Sequence, residues 1–132
     1  MLSILFLAIA GMCNAIMDKI NFHWDSCVFK GSKLDWWANP AISYRNKWKN
    51  NSDSSDGERF PGSSTIFVWV TDLWHFAQSF MITFFILGIL FYGDGIINYF
   101  DNNWYNIIFD FLILKAVFSF TFELFWSVIL KK

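Results

Sequence analysis

The sequence predicts an all-α fold, a small polytopic membrane protein with three transmembrane helices and one extramembrane loop. Three observations carry that expectation. Hydrophobic residues make up 55% of the 132 positions and charged residues only 16%, which is too apolar for a soluble domain of this length. Aromatic residues reach 22%, more rings than one small core can bury, whereas a lipid-facing bundle has no need to bury them. The apolar residues also fall into three long runs separated by a polar stretch and a short Gly-Asp-Gly turn. The whole chain, residues 1–132, reads as a single membrane domain.

The first span covers about residues 2–20 and places Asp18 and Lys19 at or just under the headgroups. Ala8-Ile9-Ala10 imitates a signal-peptidase site, but no charged segment precedes it, so an uncleaved helix is the simpler expectation. Residues 21–64 then change in character, with Gly, Ser, Asn and Asp accumulating and charges of both signs. Asn39-Pro40 signals a turn, residues 41–49 suit a short surface helix, and residues 50–57 read as a flexible tip. Trp37, Arg45, Lys47 and Trp48 interleave rings with cations, the mixture expected where a loop meets lipid headgroups.

Pro61-Gly62 breaks the chain before a second span over residues 65–92, with Ser63, Ser64 and Thr65 as candidate caps. The third span covers residues 103–130 and stops at Lys131-Lys132. Every Lys or Arg except Lys115 lies at the end of the first span, in the first connection or at the C-terminal end. The positive-inside rule then places the N-terminus outside and the large loop and C-terminus in the cytoplasm.

Each span carries polar groups that lipid disfavours. An ionisable side chain at bilayer depth costs at least ~2.5 kcal/mol, so it normally faces protein and marks a functional site. At ~100° per residue, Asn14 and Asp18 share one arc of the first span, and Thr65, Asp72, His75, Ser79 and Thr83 share one of the second. Lys115, Ser119 and Glu123, spaced by four, form a third stripe. The expectation is that these seams meet inside the bundle near the cytoplasmic leaflet, with Asp110 on another face. Asp72, His75 and Glu123 are then the candidate acid–base residues. Asp72, His75, Asp18 and Glu123 are candidate ligands for a divalent metal, since i and i+3 side chains can address one ion.

Three function classes fit these residues. The leading one is a subunit of a membrane complex or homo-oligomer, whose polar seams dock onto partner membrane subunits or other copies. The second is a metal-dependent or acid–base membrane enzyme acting on lipid headgroups, and the third an oligomeric ion or proton pathway. Membrane lipids are expected partners; a net charge of -1 with no basic domain argues against nucleic acid. Cys13 and Cys27 form no CxxC pair, and the sequence carries no phosphate-binding glycine loop, GxSxG elbow or HExxH motif.

Overall fold

The computed structural model describes residues 2–92 and 103–132. Their regular structure is helical, with two isolated bridges and no sheet among the described residues. Three long helices dominate: α1 (Leu2–Phe22), α4 (Leu73–Leu90) and α5 (Asn103–Leu124), the last running into a π-helical turn at Phe125–Ile129. Two single-turn helices, α2 (Asp35–Ala38) and α3 (Pro40–Ser43), lie in the connection between α1 and α4. The Gly93-Asp94-Gly95 turn expected between the second and third spans lies outside the described residues.

Helix α1 is the central element and packs along both α4 and α5. Its buried face is made largely of small residues, Ser3, Ala10, Gly11 and Ala15, which let neighbouring backbones approach closely. A Cβ on Gly11 would stand 2.5 Å from the carbonyl oxygen of Phe118 and against the Thr121 hydroxyl, so α5 rests directly on this glycine. On the opposite partner, a Cβ on Gly88 of α4 would collide with Leu7. The Gly11 contact is with backbone and requires glycine for space, whereas the Leu7 side chain can shift from Gly88.

Outward faces are strongly apolar. Ile82, Ile86 and Ile89 of α4 and Phe111, Leu112 and Phe120 of α5 are all exposed, a larger apolar surface than a soluble monomer normally shows. Helices α1 and α4 are long and apolar enough to cross a membrane. Helix α5 carries Asn106, Asp110, Lys115, Ser119 and Glu123 within its apolar run.

Two expected boundaries change. The second long helix begins at Leu73 rather than Thr65, because residues 65–71 form turns ending in a 3₁₀ segment at Val68–Val70. The β-branched residues Thr65, Ile66, Val68, Val70 and Thr71 disfavour helix, and Asp72 supplies the cap that starts it. The third helix ends its regular α geometry at Leu124, six residues before the expected limit.

The connection between α1 and α4 is folded onto the bundle. A cluster of Ile20, Cys27, Ala38 and Leu73, with Trp24, Phe29, Trp37 and Trp74 packed around it, joins the end of α1, the loop and the start of α4. Asn46 is buried and its amide donates to the carbonyls of Trp36 and Thr71, both at 3.0 Å, while Trp37 Nε1 donates to Val70 O. Residues 41–49, expected as one short helix, form α3 followed by a 3₁₀ turn at Tyr44–Lys47. The tip at residues 50–57 is closed by the Trp48–Glu58 bridge, with Asn50 and Asn51 at positive φ. The C-terminal segment returns to the same end, where Val28 N donates to Leu130 O and Lys132 N to Ser26 O, both at 2.9 Å.

Candidate functional site

The start of α4 builds the most chemically organised pair in the protein. Asp72, in extended backbone geometry, is the N-cap, and its Oδ1 accepts from the His75 amide at 2.9 Å. Its Oδ2 lies 2.7 Å from His75 Nδ1 and also receives a longer contact from the Thr71 hydroxyl at 3.4 Å. One residue type thus serves two purposes: the short Asp side chain reaches the orphan amide, and the helical turn brings the imidazole back over the second oxygen.

Burial differs across the pair. The Asp72 side chain is 4% exposed and that of His75 31%, so the carboxylate is enclosed while part of the ring meets the surroundings. An ionised carboxylate only accepts, so Nδ1 carries the proton toward Asp72, and in the neutral ring Nε2 keeps its lone pair. That arrangement can accept a proton or hold an electrophile at Nε2, since the carboxylate orients the ring. Trp74 meets the imidazole edge-on with ring centres 5.1 Å apart.

The other expected members of this site lie elsewhere. Asp18 accepts from Trp126 Nε1 at 2.7 Å, joining α1 to the π-helical turn, and Asn14 is half-buried on α1. Ser79 is half-buried on α4, where its carbonyl accepts from the Thr83 hydroxyl. Lys115, Ser119 and Glu123 are exposed, and neither Lys115 nor Glu123 has an ion-pair partner among the described residues.

The three seams therefore do not converge. Angular position explains why: the stripe at Lys115 points away from α1, and α5 turns Asn106, Asp110 and Thr121 inward instead. Asp110, expected on a face other than the Lys115 stripe, is 1% exposed and accepts from the Tyr92 hydroxyl at 2.6 Å. Asp72 sits at a helix end, not a few turns inside a span, because the preceding residues are not helical. Among the described residues no three His, Cys, Asp or Glu side chains gather as a metal ion needs, so Asp18, Asp72, His75 and Glu123 do not form one ligand shell.

Sequence reasoning missed Trp126. Its indole donates to Asp18, lies 4.3 Å beneath the Lys19 ammonium and meets His23 at a centre-to-centre distance of 5.0 Å. Lys19 is only 2% exposed, so this cation–π contact is desolvated and worth about 2 kcal/mol. A tryptophan near terminal lysines carries the signature of an interfacial ring, which conceals its structural role.

The loop supplies a second organised region. Arg45, Lys47 and Trp48, three of the four residues expected to face headgroups, line one cleft with Tyr44, Ser52 and Asp53. Arg45 Nε contacts the Tyr44 hydroxyl at 3.0 Å, and Lys47 Nζ lies 5.5 Å from the Trp48 ring centre. The Ser55 hydroxyl and amide hold the Asp53 carboxyl below its usual range, and the Arg45 charge adds to that effect. Trp37, the fourth expected residue, instead packs on Phe76 at 5.5 Å and braces the loop against α4.

Comparison of the chain with protein-family models, curated proteins and solved structures gives no match.

Proposed function

We propose that the chain is a three-span subunit of a membrane assembly, in which α5 presents Ser119 and Glu123 to a partner transmembrane helix. One observation carries this reading: the polar stripe of α5 is exposed on the isolated chain, although α5 is otherwise flanked by Phe, Ile and Leu. A carboxylate and a hydroxyl on a lipid-facing surface are costly, and a partner helix that covers them removes the cost. The N-outside orientation accords with the loop lysines and arginines lying at the same end as Lys131 and Lys132, which the Cys27–Lys131 bridge brings together.

The test is the assembly state of the full chain in mild detergent and in nanodiscs, measured by light scattering. The native chain is expected as a homo-oligomer or with a stoichiometric companion, and Glu123→Leu is expected to dissociate it while leaving the helical circular dichroism intact. A native chain that is monomeric and companionless in both media refutes the proposal.

The Asp72–His75 geometry favours a second reading, an acid–base site acting on a lipid headgroup at the membrane surface. Its check is turnover of a phospholipid substrate by the purified protein. Loss of turnover in His75→Ala with the fold retained supports it, and equal turnover in both removes the pair from any chemistry.

A further inference from the structure

A groove of about 420 Å³ lies between α4 and α5. That volume falls within the ~300–1,000 Å³ typical of small-molecule sites. Phe85 of α4 and Phe111, Leu114 and Phe118 of α5 form its sides, and Leu7 of α1 contributes to its lining. Phe85 and Phe118 stack at 5.5 Å. Two polar groups interrupt this apolar surface: Tyr92, whose hydroxyl already donates to Asp110, and Lys115.

Lys115 is the unusual member. It has no ion-pair partner among the described residues, yet it stands midway along α5, where an uncompensated ammonium costs roughly 2.5–3.5 kcal/mol in a bilayer. Helical side chains lean toward the helix N-terminus, so the lysine stem is directed along the groove toward the Tyr92 end. The groove thus offers one positive group and one apolar channel. A complementary occupant has one negative group and one unbranched apolar chain.

We propose that this groove binds a long-chain carboxylate, a fatty-acid anion, with the carboxylate on Lys115 and the acyl chain lying against the Phe85, Phe111 and Phe118 rings that line it. A phospholipid has two chains for a single channel, and a neutral alcohol leaves the ammonium without a counter-charge. The inference is independent of the assembly reading, since Ser119 and Glu123 lie outside the groove and remain available to a partner helix.

The experiment uses the full chain in a neutral maltoside detergent with cis-parinaric acid as probe, read by energy transfer from the protein's tryptophans. Saturable binding at one probe per chain is expected, with displacement by palmitate and not by hexadecanol or phosphatidate. Lys115→Met should weaken binding by about tenfold or more, as expected for loss of a charge-assisted hydrogen bond, and Lys115→Arg should restore it. Leu114→Trp, which fills the channel without altering charge, should also abolish binding. Unsaturable binding, equal displacement by the alcohol or by phosphatidate, or undiminished affinity in Lys115→Met would each overturn the assignment.

Discussion

Replacing Asp72 by alanine removes two acceptors with one substitution, and the structure separates their contributions. The Oδ1 bond to the His75 amide is an N-cap, worth about 1 kcal/mol, and the Oδ2 bond to the imidazole is charge-assisted, worth about 1.5–3 kcal/mol. Asp72→Ala should therefore destabilise the fold by about 2.5–4 kcal/mol. Asparagine still offers an oxygen to the amide, so Asp72→Asn should recover about 1 kcal/mol of that loss. Because the His75 amide survives in His75→Ala, a double-mutant cycle between Asp72→Asn and His75→Ala isolates the ring contact, with an expected coupling of about 1.5–3 kcal/mol. The assay is reversible urea unfolding in detergent micelles followed by tryptophan fluorescence. Coupling below about 0.5 kcal/mol, the usual scatter for independent sites, would refute the claim that the pair acts as a unit.

Further outcomes follow from other contacts. Gly11→Ala pushes a methyl group against the Phe118 carbonyl and should lower stability in the same assay by about 1–3 kcal/mol as α1 and α5 are forced apart. Trp126→Phe keeps a ring beneath Lys19 but removes the N–H donated to Asp18, for an expected loss of about 1.5–3 kcal/mol. The Ser64 hydroxyl and the Gly62 and Ser64 amides hold the Glu58 carboxyl below its ordinary 4.5. Folding therefore gains from this group above pH 4.5 and loses the gain as pH falls through the lowered folded value. An NMR titration of Glu58 should show that depressed midpoint, and Glu58→Gln should flatten the acid limb of stability. Burial pushes the Cys27 thiol up, so maleimide labelling at neutral pH should be slow in the folded protein and fast in urea.

How much of this was legible in the sequence depended on the range of the interaction. The three long helices follow from apolar runs whose length alone demands a helix, and Arg45, Lys47 and Trp48 share a cleft because they are nearly adjacent. The sequence pattern places Asp72 inside a helix because the apolar run from Thr65 continues past it. The clue was local: a β-branched stretch followed by an Asp three residues before a backbone amide needing an acceptor. Helix α5 posed a different difficulty. It has two polar arcs, and angular spacing does not say which one turns to α1. That choice is made by Gly11, which admits Thr121 and sends Lys115 and Glu123 outward. The partner of Asp18 lies 108 residues away, beyond the reach of any pattern within one element.

The bond between Asp18 and Trp126 also sets an order of events during biosynthesis. Translation delivers Asp18 and Lys19 long before the indole that contacts them, so until the end of α5 is made the end of α1 holds an ammonium and a carboxylate without that cover. Chains truncated before residue 126 should therefore leave Lys19 open to amine-reactive reagents that do not reach it in the full chain.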